Sequence, residues 1–176
     1  MKLSWKRAFL VGGFLGGLCA VLGLAIAGGD MLTKQTIARN KAAKEETGLK
    51  KAFAYEGATY SEPVEVPSSD RLSKYWTVRL GEEELGRVYS VAGTNSYGNV
   101  ALLVGLDFDY SLYGVVVLEN TQSFGQTLEE EYLDPLSSAE DKESVVDKVN
   151  CGATFGAKLC RDMINEAKAH YQEGKQ

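Results

Sequence analysis

The sequence predicts an α+β fold: a small antiparallel-sheet domain preceded by an N-terminal transmembrane helix. Three observations lead there. Residues 8–29, AFLVGGFLGGLCAVLGLAIAGG, hold no charge. A central block, residues 75–118, repeats short Val-, Tyr- and Leu-rich segments separated by turn residues. A C-terminal stretch then carries apolar residues at every fourth position. The chain has 176 residues, enough for one domain of ~100–200 residues with an extension. The boundaries read as 1–29 for a cytoplasmic tip and anchor, 30–70 for a juxtamembrane helix and linker, and 71–176 for the domain.

The uncharged run suits a bilayer core of ~30 Å, which takes about 20 apolar residues as helix. Lys2, Lys6 and Arg7 precede it without an acid, which favours a cytoplasmic N-terminus and an extracytoplasmic domain. Lys34, Arg39, Lys41 and Lys44 lie beyond it and weaken that asymmetry. Ala25-Ile26-Ala27 has the small-x-small form of a cleavage site, but the run exceeds the ~7–15 residues of a signal core, which favours an uncleaved anchor. Leu18 before Cys19 argues against a lipoprotein signal. Gly12 and Gly16, and Gly13 and Gly17, are spaced one turn apart. They reflect either the ordinary glycine content of membrane helices or a packing face for a partner membrane subunit.

The 19 basic and 24 acidic residues give a net charge of −5. Residues 30–176 alone hold 16 basic and 24 acidic residues, net −8. That balance argues against nucleic acid as a partner, because phosphate binding needs clustered Lys and Arg. Cys151 and Cys160 are able to pair in an oxidising compartment, although their spacing does not establish it. One histidine, His170, and no CxxC argue against a metal site, and His170 reads as a surface residue near the end of the last helix.

Residues 30–53 read as a helix leaving the membrane, broken near Gly48, and the two prolines of SEPVEVPSSD as extended linker. Strands are expected at 75–80, 87–92, 99–108 and 112–118, and their short connections imply an antiparallel meander. The near-continuous apolar runs VALLVGL and YGVVVL imply a sheet covered on both faces, hence by helices. TLEEEYLDPL reads as a helix stopped before Pro135, with Glu129, Glu130 and Glu131 a solvated face without a catalytic role. ESVVDKV reads as a short extended segment.

Gly-Ala-Thr occurs twice, ending at Thr59 and at Thr154. Pro63 follows the first copy closely, so Thr59 is expected in a turn or strand entry. After Thr154, the residues Phe155, Leu159, Met163, Ala167 and Tyr171, with Ile164, form one apolar helical face. Thr154 therefore stands on a glycine-containing turn at a helix N-terminus, where free N–H groups and the helix dipole favour an anion. Gly152 and Ala153 leave the approach open, and a threonine hydroxyl can accept a phosphoester. The commoner use of threonine there is as an ordinary N-cap.

CGAT (151–154) with its following helix, NTQSFG (120–125), YGNVALLVGLDFDYSLYGVVVLEN and MLTKQTIARNKA together span most of the chain. They resemble the FMN-binding family that contains the G subunit of Rnf-type electron-transport complexes and the C subunit of sodium-translocating NADH:quinone oxidoreductases. The resemblance implies an anchored domain outside the bacterial inner membrane, with FMN joined by a phosphoester to Thr154. It further implies that Cys151, Gly152 and Ala153 complete the attachment motif and that Thr121 and Gly125 shape the pocket wall. Phe124 either contacts the flavin ring or sits in the core, and the core is favoured. The implied partners are other membrane subunits of a redox complex and a flavin transferase, and the implied role is electron carriage within an ion-translocating complex. Cys151 and Gly156 stand where the family commonly has hydroxyl residues. Asn120, Gln122 and Ser123 replace its usual Glu, Pro and Gly, and Asp147 lies one position further from the threonine than usual. A structural subunit with a decayed flavin site is the alternative, and a free-standing flavin reductase a weaker one.

Overall fold

The computed structural model describes residues 5–174, and of these the side chains at 6–8, 25–35 and 38 stand outside the description. The chain divides into two compact units, Met1–Ala43 and Lys44–Gln176. Helix α1, Trp5–Ala52, opens the chain. Among the described residues, no helix is long and apolar enough to cross a membrane. Gly12, Gly13, Gly16, Gly17 and Gly23 lower the hydropathy of the described apolar part of α1. The expected transmembrane helix, and the single-pass inner-membrane placement that rested on it, are corrected accordingly. Lys2 lies outside the described residues, as do the side chains of Lys6, Arg7, Lys34 and Ala25-Ile26-Ala27.

The second unit is α+β. Strands β1 (Thr59–Tyr60), β2 (Val64–Glu65), β3 (Leu72–Leu80), β4 (Glu83–Asn95), β5 (Gly98–Asp107) and β6 (Leu112–Asn120) form one antiparallel sheet. Its order is β1-β3-β4-β5-β6, with β2 also pairing on β3. The meander expected over 75–118 is present, and its strands extend beyond the apolar runs. The prolines of the linker do not keep it apart from the sheet, because Val64 pairs with Tyr75.

Alternation along β5 explains how both faces are covered. Leu102, Val104 and Leu106 point into the larger core with α5 (Thr154–Glu173), while Leu103 points to the smaller core. The end of α1 closes that smaller core through Leu49, Ala52 and Phe53. No break occurs at Gly48, contrary to the sequence expectation. A Cβ there would stand 2.7 Å from Leu103 Cδ1, so the glycine lets the helix lie close on the sheet. Packing of that kind outweighs the ~1 kcal/mol helix penalty of glycine.

After β6 come α2 (Gly125–Leu128), a π-helical turn (Glu129–Leu133), α3 (Asp134–Ser138) and α4 (Glu143–Val146). Two expectations are corrected here. Pro135 sits in the first turn of α3, where its missing N–H costs nothing, so it continues the helical path rather than ending it. ESVVDKV is a helical turn and not an extended segment, with the Ser144 amide held by Asp141 Oδ1 at 3.2 Å.

Burial in the larger core raises several acids. It pushes the Tyr89 phenol up to about 12 and the Cys160 thiol up to about 12. Tyr132, which donates to Val146 O at 2.7 Å, is raised by the same cause. These groups bind protons more tightly folded than unfolded. Their contribution is therefore complete below the unfolded values of 9.0 and 10.0 and is lost as pH rises toward about 12. Urea midpoints should hold from neutrality to pH 9 and then fall steadily. Midpoints that stayed level through that alkaline range would contradict the burial described here.

Candidate functional site

Helix α5 begins at Thr154 with Ala153 in the cap position (φ −112, ψ 43), and no side chain caps it. Thr154 is thus not the ordinary N-cap. Its hydroxyl donates instead to Cys151 O at 2.7 Å, which leaves the oxygen lone pairs available. The first bond of the helix runs from Ala157 N to Ala153 O at 3.0 Å. The amides of Phe155 and Gly156 precede it and have no acceptor within the helix. Upstream, Gly152 N donates to Glu131 Oε2 at 2.7 Å. The other copy behaves as expected: Thr59 is an exposed residue of β1, its hydroxyl on Arg79 O at 3.2 Å.

The facing wall is the segment after β6. Asn120 organises it, its Nδ2 donating to Gly125 O at 3.0 Å and Glu129 Oε1 at 2.8 Å, and its Oδ1 accepting from Gln122 N at 3.2 Å. Gln122 Nε2 then donates to Asn95 Oδ1 at 2.9 Å and Gly98 O at 2.7 Å. Asn95 Nδ2 reaches Phe155 O at 3.3 Å, so the β4–β5 turn ties both walls together. Gly98 (φ +135) is required in that turn, because a Cβ would stand 2.4 Å from Thr121 O.

Between the walls lies a cleft of about 220 Å³. Tyr97, Phe124 and Phe155 give it aromatic sides, Gly152, Ala153, Thr154 and Gly156 a largely backbone floor, and Gln122 a polar corner. The Tyr97 and Phe155 rings stack at 5.4 Å and 26°, and Phe124 tilts against Tyr97 at 6.4 Å. Phe124 is 56% exposed, which corrects the favoured reading of it as core. Phe155 is 63% exposed and does not share the buried face of α5. At ~100° per residue it lies roughly 140° around the helix from buried Cys160. Thr121, Gly125 and Cys151 do not line the cleft. The Thr121 hydroxyl accepts from Asn99 N at 2.9 Å, Gly125 opens α2, and half-buried Cys151 packs on the larger core.

Sequence reasoning missed Tyr97, Gln122, Phe155 and Gly156 as cleft residues, and set Glu131 aside as a solvated face. No local pattern marks Tyr97, which only sheet pairing brings to Thr154, whereas Gln122 lies in the 120–125 segment that the resemblance set beside the site. His170 is also not simply on the surface. It is half-buried, with Nδ1 3.2 Å from Tyr89 Oη. Among the described residues, no group of three or more His, Cys, Asp and Glu is placed to hold a metal ion.

Cys151 and Cys160 are both free thiols rather than a disulfide. A buried thiol with a raised pKa presents little thiolate at neutral pH. Iodoacetamide should therefore label Cys151 in the folded chain and Cys160 only on unfolding, as read by peptide mass. Equal rates for the two would contradict that burial.

An FMN phosphate and ring fit the residues present. The start of α5 offers unpaired amides and a hydroxyl on the cleft, and three aromatic side chains offer flat faces beside it. The volume lies below the ~300–1,000 Å³ of closed ligand pockets. No Lys or Arg lines the cleft. Lys158, one turn beyond Thr154 on the same side of α5, is the nearest cation along that helix. Compared with models of known protein families and with curated proteins, the chain matches none.

Proposed function

We propose that this chain is an electron-carrying flavoprotein subunit, with FMN joined through its phosphate to Thr154 Oγ1. The observation that carries the reading is the Thr154 hydroxyl, uncommitted to capping, on an aromatic-walled cleft at the start of a 20-residue helix. The resemblance to the Rnf-type FMN-binding family points the same way, and suggests neighbouring redox subunits as donor and acceptor. Thr154 would hold the group through Oγ1, giving up its hydroxyl proton as the new O–P bond replaces the P–O bond to the phosphate leaving group of a flavin phosphoanhydride donor. A flavin transferase is the partner for that step.

When bound, FMN supplies reversible one- and two-electron chemistry. The protein's part is placement. The amides of Phe155 and Gly156 and the dipole of α5 stabilise phosphate charge. Tyr97, Phe124 and Phe155 present ring faces and displace water from one side of a planar ligand. Gly152 keeps the loop close, since a Cβ there would meet Thr127 Cγ2 at 2.8 Å. Protein made with an active flavin transferase should keep yellow fluorescence after denaturation. Colourless protein would sink the covalent reading.

One observation favours a second reading, a binding subunit without flavin. The Glu131 carboxylate already holds the Gly152 amide, and the cleft has no cationic side chain. That reading expects complexes with redox subunits but no visible absorbance.

A further inference from the structure

Glu131 belongs to the π-helical turn, and its bond to Gly152 N at 2.7 Å joins residues 21 apart in sequence. Two residues earlier, Glu129 Oε1 accepts from Asn120 Nδ2 at 2.8 Å. Residues two apart on a helix point to nearly opposite sides, so this one turn grips both walls of the cleft. The loop also packs by shape against this turn and the end of α2 before it. A Cβ on Gly152 would stand 2.8 Å from Thr127 Cγ2 and 3.4 Å from Glu131 Oε2. Downstream, the held loop places Cys151 O, which receives the Thr154 hydroxyl at 2.7 Å.

We propose that Glu131 is the positioning residue of the attachment loop, fixing through the Gly152 amide where the Thr154 hydroxyl stands on the cleft. The inference rests on the reading of Thr154 as flavin acceptor. Glu131 does not touch the acceptor oxygen. It acts through one backbone amide, and leaves the amides of Phe155 and Gly156 to an anion.

The test compares Glu131→Ala and Glu131→Gln in the full chain, with two readouts. The first is exchange of the Gly152 amide, followed by NMR in chain made without flavin transferase. The second is the flavin-bearing fraction, by intact mass, of chain made with it. Alanine removes the acceptor and should speed Gly152 exchange roughly tenfold, the size expected for an exposed charge-assisted hydrogen bond. The flavin-bearing fraction should fall with it. Glutamine keeps an oxygen in place and should restore both, a rescue that general destabilisation would not produce. Unchanged exchange and loading in Glu131→Ala would overturn the proposal. So would loading that rises in both variants, because the carboxylate would then be competing with the phosphate. Wild-type chain with a protected Gly152 amide and no flavin would remove the acceptor reading and this role with it. Loaded wild-type chain with an unprotected Gly152 would remove the role of Glu131 alone.

Discussion

Thr154→Ala is expected to abolish covalent flavin entirely, while Thr154→Ser retains it. Alanine deletes the single oxygen able to form the ester, and no other hydroxyl side chain lines the cleft except that of Tyr97. The chain should remain folded. The cap position belongs to Ala153, and the hydroxyl makes one bond, to Cys151 O. Losing it costs about 0.5–1.5 kcal/mol. Serine keeps the oxygen and lacks only the methyl that restricts the rotamer. Thr59→Ala is the matched control, since that residue lies exposed on β1 and should leave loading unchanged. In-gel fluorescence after denaturation reads all three variants. Flavin persisting in Thr154→Ala would move the attachment elsewhere.

Gly105→Ala should be among the most damaging small substitutions in the sheet. Gly105 and Gly114 face each other across β5 and β6, and together they receive the carbonyl of Ala52 at the end of α1. A Cβ on Gly105 would stand 2.2 Å from Ala52 O, and one on Gly114 2.7 Å from the same atom. No rotamer change relieves a clash with backbone. The end of α1 would have to lift, loosening Leu49, Ala52 and Phe53 from the smaller core and parting the Phe53–Tyr113 stack, whose rings lie 4.0 Å apart. Overpacking of this kind costs about 1–3 kcal/mol, and a backbone obstacle puts the change at the upper end. Gly48→Ala is the instructive contrast. Its obstacle is the movable end of Leu103, and alanine gains ~1 kcal/mol of helix propensity there. Urea unfolding should show a clear loss for Gly105→Ala and little change for Gly48→Ala. Equal midpoints would contradict the close seating of α1 on the sheet.

These contrasts mark what the sequence conveys and what it hides. The strands were legible because short Val-, Tyr- and Leu-rich runs such as VALLVGL and YGVVVL, bounded by turn residues, are a local property. The start of α5 was legible for the same reason, in glycine, alanine and threonine ahead of a four-residue apolar repeat. Errors arose where tertiary packing decides. Gly48 does not break α1 because Leu103 and its neighbours hold the helix on the sheet. Pro135 does not end a helix because it falls in the first turn of a new one. Phe155 fits the four-residue repeat but turns outward, since the buried face of α5 is centred nearer Cys160 and Ile164. Half of the cleft follows from the motif around Thr154. The 120–125 segment with Gln122 and Phe124 follows from the resemblance, and Tyr97 arrives only through the hairpin that pairs Asn95 with Gly98. The anchor expectation failed because, among the described residues, no helix is long and apolar enough to cross a membrane, glycine recurring through the apolar part of α1.

The central claim is that the second Gly-Ala-Thr, and not the first, carries a flavin phosphoester. Its most direct test is fragment mass analysis of proteolysed wild-type chain made with an active flavin transferase. The account predicts one FMN-bearing peptide, with the added mass located on Thr154 and the Thr59 peptide unmodified. Wild-type peptides that both lack the added mass, from cells whose transferase loads a known substrate, would contradict it.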